Sequence, residues 1–268
     1  MDNITILINT SDGFEDCWDP FFKLFNKYWK GCKYPIVLNT EFKNYIYENN
    51  HIKTTKVNLA YPNTKLTWSE CLIFALNQIE TPLVLYMQED YFIDNEVNTS
   101  DIEDFIQLML LNKEIAYIGL TDGGNYPPFE KTEVDKRLLC VNSKGKYRIS
   151  TQAAIWRKDT LLSYLLPHEN GWMFEIFGTY RSHKRKELFL TIDRDYYKKN
   201  ALISYILTGI IKSKWHKNMP DIFKKNGIDI DFNKRGFYNE KPLLFRKVET
   251  AKKLLINPIN IYKSLFSN

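Results

Sequence analysis

The chain reads as an α/β protein whose mostly parallel central sheet is flanked by helices, and three observations lead there. Short apolar runs of strand length alternate with stretches of helical period over roughly the first two hundred residues. Those runs are near-continuous in Ile, Val, Leu and Tyr, the composition of strands covered on both faces. Three of them end in polar loops that carry Asp12, Asp90 and Asp122. Ligands of open α/β sheets bind beyond the carboxyl ends of the strands, so such loops are where chemistry is expected.

Taken in order, residues 4–8 form the first strand, followed by the polar loop 9–13. Asp19 and Pro20 read as a helix cap and a proline at the first helical position. Phe21, Leu24, Phe25 and Tyr28 then recur at helical spacing, and residues 35–39 are the second strand of a βαβ unit. Thr67 and Glu70 form a capping box for a helix to about residue 79. That helix feeds an apolar run beginning at Leu83, which stops at Gln88, Glu89 and Asp90. Ser100 and Glu103 read as another capping box, for a helix ending near Leu111, and residues 115–120 are the next strand. Residues 125–148, with Pro127 and Pro128, read as a loop or mobile hairpin. Residues 150–156 are strand-like, 158–166 helical, 169–175 enter another helix, and 181–186 are basic.

At 268 residues the chain can bury a full core, and its 44% apolar and 26% charged residues are ordinary for a globular protein. An excess of 37 Lys and Arg over 32 Asp and Glu is too mild to call for a nucleic-acid partner, and none is expected. Cys17, Cys32, Cys71 and Cys140 are scattered without metal-ligand spacing, which suits reduced thiols in a cytosolic protein. The start of the chain reads as a strand rather than a signal peptide, and no apolar stretch is long enough to span a bilayer. The expected organisation is a domain over residues 1–211 and a basic extension over 212–268. In its last part Lys247, Lys252, Lys253 and Lys263 interleave with Leu254, Leu255, Ile256, Ile261, Tyr262, Leu265 and Phe266. That pattern suits either a helix packed on the domain or peripheral contact with an anionic membrane, and Pro258 interrupts any continuous helix.

Glu89 and Asp90 carry the most specific chemistry. Two hard oxygen ligands at a strand end suit a divalent cation that bridges phosphates; the plainer alternative is a solvated acidic turn. No Gly-rich phosphate loop of the P-loop or dinucleotide type is present. His51, His168, His183 and His216 show no pairing of the kind a metallohydrolase needs.

The opening strand and its loop to Asp12, the run Gln88-Glu89-Asp90-Tyr91, residues 150–156 and residues 169–175 together resemble GT-A-type glycosyltransferases. The likeness is to the bacterial enzymes that build lipopolysaccharide and capsule. It implies a nucleotide-sugar donor, a glycan or lipid-linked acceptor, Mn²⁺ or Mg²⁺ at the donor diphosphate, and action at the inner face of the cytoplasmic membrane. The family's acidic motif has an acid at both ends; here Gln88 stands first, so Asp90 inherits the metal and Glu89 assists. The resemblance further assigns Thr10, Asp12, Gln88, Glu89 and Gln152 to the donor, with His216 as a possible additional metal ligand. Glu175 is the candidate base for the acceptor hydroxyl, in an aromatic setting with Trp172 and Phe174, and Asp122 is its rival. A nucleotidyltransferase is disfavoured because the loop after the first strand lacks glycines and a basic residue. The remaining alternative is a non-catalytic glycan- or nucleotide-binding protein on a degenerate transferase fold.

Overall fold

Every residue of Ile4–Asn9 (β1) and Ile36–Asn39 (β2) is buried, and the two strands pair in parallel around Glu15–Tyr28 (α1). This computed structural model describes residues 3–48, 50–206, 208–240, 242, 245 and 258–266. The βαβ opening is as expected, but α1 starts at Glu15, not at Pro20. Pro20 lies inside the helix, and Asp19, rather than capping, accepts a hydrogen bond from the Tyr45 hydroxyl at 2.7 Å. The missing N–H is tolerated because Phe21, Phe22, Leu24 and Phe25 are wholly buried, each contributing roughly 1.5–3 kcal/mol.

The other strands are Ile52–Thr54 (β3), Leu83–Gln88 (β4), Ile115–Gly119 (β5), Phe129–Lys131 (β6), Leu138–Val141 (β7), Ala154–Arg157 (β8) and Leu188–Ile192 (β9). They form one sheet in the order β3-β2-β1-β4-β8-β5-β9-β7-β6. The pairings run β7 and β8 against the other seven strands, so the sheet is mostly parallel in direction. Of the two readings of residues 125–148 the hairpin holds: β6 and β7 form it, and it adds to the sheet through β9. The rims of the sheet, β3 and β6, are three residues each, with Lys53, Glu130 and Lys131 exposed.

Helices cover both faces. On one side lie α1, Thr99–Leu111 (α4) and, after the helices named next, Met219–Lys225 (α7). On the other lie Trp68–Asn77 (α3), Lys158–Tyr164 (α5) and Gly171–Ser182 (α6); Val57–Ala60 (α2) is a single turn leading into α3. The Thr67–Glu70 capping box is present at α3, with both reciprocal bonds. At α4 the cap is Asn98, two residues before Ser100, its side chain accepting from the Asp101 N–H.

Past β9 the chain returns across the carboxyl ends of the strands. Ile210–Ile211 (β10) and Lys214–Trp215 (β11) form a hairpin, so the expected boundary at 211/212 falls in its turn. Trp215, Met219 and Phe223 then bury themselves in the main core. Of the basic tail, Lys247, Lys252, Lys253 and the apolar Leu254, Leu255 and Ile256 lie outside the described residues, while Pro258–Phe266 (α8) packs on α6. Among the described residues no helix is long and apolar enough to cross a membrane.

Candidate active site at the carboxyl ends of β1 and β4

β1 and β4 are neighbours in register, with Asn9 opposite Gln88. The chain leaves β1 for β2 on one side and reaches β4 from β3 on the other, so the crevice beyond these two ends is a topological switch point. Each strand here ends its apolar run in an amide. Asn9 and Gln88 both donate to the Tyr86 hydroxyl, at 3.2 and 3.0 Å. Asn39 donates to Asn9 at 2.8 Å, and Thr55 donates to Asn39 at 2.9 Å. This chain of bonds fixes the floor of the crevice across β4, β1 and β2 and on to the residue that follows β3.

Glu89 and Asp90 stand on that floor and are only 7% and 5% exposed. Asp90 Oδ2 accepts from the Ile210 N–H at 3.1 Å and from the Thr208 hydroxyl, and the Asp90 carbonyl accepts from the Gly209 N–H at 3.0 Å. A Cβ on Gly209 would sit 2.5 Å from the Phe92 ring and 2.9 Å from the Asp90 carbonyl, so only glycine lets the returning strap come this close. The Thr10 hydroxyl accepts from Trp18 Nε1 at 3.0 Å, donates to the Ser11 carbonyl at 3.4 Å, and lies near enough to Glu89 to act on its carboxyl. Burial, and then the charge of Asp90, holds the Glu89 carboxyl well above the usual range; burial likewise raises Asp90, against the Thr208 and Ile210 bonds.

Among the described residues the cation that acts on Glu89 is Arg235, and it is already bonded to Asp16 at 2.8 Å and to the Gly13 carbonyl while lying over the Phe14 ring. Two adjacent buried carboxylates that, among the described residues, have no counter-charge of their own form a donor set that fits a hard divalent cation. Among the described residues no group of three or more His, Cys, Asp or Glu side chains is placed to hold an ion. Mg²⁺-type ions are commonly held by one or two carboxylates with substrate phosphates completing the shell, which is what this pair offers.

Glu175 stands next to this floor. Its Oε1 accepts from both the N–H and the hydroxyl of Thr151 at 2.8 Å, and the Thr151 carbonyl accepts from the Tyr91 hydroxyl at 2.8 Å. One residue therefore links Glu175 to the neighbour of Asp90. Burial raises the Glu175 carboxyl, opposed by the two Thr151 bonds. Gln152 accepts from the Tyr205 hydroxyl at 3.1 Å, and Tyr205 stacks on Tyr91 with ring centres 4.5 Å apart.

Three expected residues are placed otherwise. The carboxylate of Asp12 accepts the N–H groups of Glu41, Phe42 and Lys43 at 2.9–3.1 Å, so it builds the loop after β2. Asp122 is paired with Arg194 at 3.3 Å in a separate hollow beyond β5, which is divided from β4 by β8. His216 lies on the strap, its N–H donating to the Gly209 carbonyl at 2.8 Å, while its ring Nδ1 accepts from the Asn218 N–H. Sequence reading missed Arg235, Thr208, Tyr86 and Thr151. The repeated amide at the end of an apolar strand was a usable signal for the Tyr86 network; Arg235 and Thr208 arrive from more than a hundred residues away and gave none.

No family model matches this chain, and no curated protein does. Among solved structures, TarS 1-349 of S. aureus is similar with a TM-score of 0.47 at 10% identity, over 87% of this chain and 68% of that one. Glucosyl-3-phosphoglycerate synthase from Mycobacterium tuberculosis, in complex with Mn²⁺ and UDP-glucose, gives 0.45 at 9% identity, over 85% and 80%. A mycobacterial protein gives 0.45 at 10% identity, over 71% of this chain and 64% of its own length, so the chain spans less than two thirds of that neighbour. Likeness at this level assigns no activity, and the α/β assignment stands on the sheet order and pairing above.

Proposed function

We propose that the chain is a glycosyltransferase that moves a sugar from a nucleoside-diphosphate sugar to a hydroxyl of a glycan or glycolipid, in the synthesis of a bacterial surface polysaccharide. The observation that carries the reading is the pair Glu89 and Asp90, buried at the switch point of the sheet and, among the described residues, without a cation committed to it alone, with a third raised carboxylate, Glu175, linked to Tyr91 beside Asp90 through Thr151. A Mn²⁺ or Mg²⁺ ion held by Asp90 and Glu89 would neutralise the diphosphate charge that develops as the sugar–phosphate bond breaks. Thr10, beside Glu89, offers its hydroxyl to the donor. Gln88 and Gln152 border the floor as amides able to bond donor hydroxyls, and Glu175, pinned through Oε1, keeps Oε2 to take the acceptor proton. Asp122, tied to Arg194, is the less supported base, and His216 reaches the site through its backbone.

A second reading, a nucleotide- or glycan-binding protein without turnover, is favoured by one observation: Gln88 stands where a carboxylate would strengthen the cation site, and one oxygen of Asp90 already serves the strap. Thermal unfolding with UDP, GDP, CMP, dTDP and ADP, each with Mn²⁺ and with EDTA, tests the proposal, because a ligand of the native state must raise its stability. Stabilisation by one nucleotide only with metal, lost in Asp90→Asn, is expected; asparagine keeps the shape and the Ile210 contact but removes the charge. A flat panel on folded protein overturns it, and metal-dependent binding without donor hydrolysis or transfer selects the second reading.

A further inference from the structure

Beside Glu175 runs a groove of about 320 Å³ between α6 and α8. Its walls are Tyr147, Ile176, Phe177, Tyr180 and Leu265, and its one acidic lining residue is Glu175 itself. Lys146 and His183 also line it, and both are exposed. Burial, and then the charges of Arg148 and Lys144, lower the His183 pKa and keep its ring a neutral N–H donor, so the positive charge of this edge comes from Lys146 and from exposed Lys184. The polar group of Thr179 is already bonded to the backbone of Ile149. The groove is therefore a greasy trough with a positive edge and few hydrogen-bonding groups for a bare sugar ring.

The wall formed by α8 is a fixed part of the molecule. Ser264 is fully buried, with its hydroxyl 2.9 Å from His168 Nε2 and its carbonyl accepting from Arg181. The outer side of the same helix presents Ile259, Tyr262 and Phe266, which are 64–69% exposed and spaced three and four residues apart. An exposed apolar stripe beside basic side chains is the pattern of helices that lie in a membrane interface. The last 28 residues carry six basic side chains against one acidic, an excess equal to the net charge of +5 of the whole chain. That asymmetry draws this end of the molecule to an anionic surface.

We infer that the groove takes the hydrocarbon chain of a lipid-linked acceptor, whose phosphate meets the edge at Lys146 and His183 and whose hydroxyl-bearing headgroup is presented to Glu175. The inference rests on the transferase reading and adds the acceptor class to it. A free glycan would leave the apolar walls in water, whereas a phosphate-bearing lipid satisfies both walls and edge.

The test titrates full-length protein, without nucleotide, with dodecyl phosphate below its micelle-forming concentration. Dodecyl maltoside (same tail, neutral head) and inorganic phosphate (no tail) are the controls, and calorimetry is the readout. Dodecyl phosphate is expected to bind at least about tenfold more tightly than either control. Lys146→Glu and Tyr180→Asp, both at exposed positions, are each expected to weaken it about tenfold, the equivalent of one charge-assisted or apolar contact. Equal affinity for the maltoside, no binding, or unchanged affinity in both variants overturns the inference. So does self-association that Tyr180→Asp abolishes without any response to dodecyl phosphate, which would assign the groove to a second copy of the chain. Nucleotide- and metal-dependent stabilisation, measured on the same samples, reports the transferase reading separately: if it persists while the lipid arm fails, only the acceptor class falls.

Discussion

At the scale of single residues the crevice is governed by carboxylates whose burial sets their charge. Glu89 has its pKa raised on folding, so its contribution to stability is present below the ordinary carboxylate range and is lost as pH rises through the folded value. Glu89→Gln is therefore expected to stabilise the metal-free protein near neutral pH, with no gain below the ordinary carboxylate range. Urea unfolding in EDTA at several pH values would show it, and the same variant should lose most of the stabilisation by Mn²⁺. Glu175 must be ionised to accept a proton, and burial raises its carboxyl, so turnover should fall on acidification from above the usual carboxylate range. Glu175→Gln is expected to lower kcat by about 10²–10⁴-fold with little change in KM for the donor, and to remove that acid limb from the pH profile. The pair at Glu89 and Asp90 was legible in sequence because an apolar run stops on it. Asp12 and Asp122 looked equivalent by the same criterion. What separates them is the direction of each carboxylate, toward the N–H groups of residues 41–43 or toward Arg194, and that is decided by chain segments far away in sequence.

At the scale of elements, the local signals that succeeded are those whose partners are near in sequence. The Thr67–Glu70 box opens α3 as read, whereas Ser100 and Glu103 were outcompeted because Asn98 reaches the Asp101 N–H first. Pro20 misled for the opposite reason: tertiary burial of the aromatic face extends α1 backward through it. The strap over Asp90 left no periodic pattern, since its structure depends on a glycine fitting against Phe92. Gly209→Ala is expected to destabilise the protein by about 1–3 kcal/mol, because neither the Phe92 ring nor the Asp90 carbonyl is a flexible chain end that can yield. Denaturant midpoints at unchanged m-value would confirm a loss confined to this contact.

At the scale of the whole molecule, βαβ order and layer arrangement followed from the alternation of runs, while the docking of the β6–β7 hairpin on the sheet and the burial of Trp215, Met219 and Phe223 in the core did not. Both depend on pairing with β9 or burial of Trp215, contacts that composition does not encode. One face is tied together by the ion pair of Arg181 with Glu169, 7% and 0% exposed and bidentate at 2.8 Å. The same guanidinium bonds the last carbonyl of α5 and the Ser264 carbonyl of α8, so one side chain joins α5, α6 and α8. Glu169→Gln would strand that charge in the interior and is expected to cost about 3–5 kcal/mol in urea unfolding. The two rims of the sheet have a consequence of another kind. A strand edge is a template on which further chains can polymerise, and its hazard grows with its length and flatness. With three residues at each rim and Lys53, Glu130 and Lys131 pointing into water, neither rim can seed such growth, so concentrated protein should stay free of thioflavin-binding fibres while it remains folded.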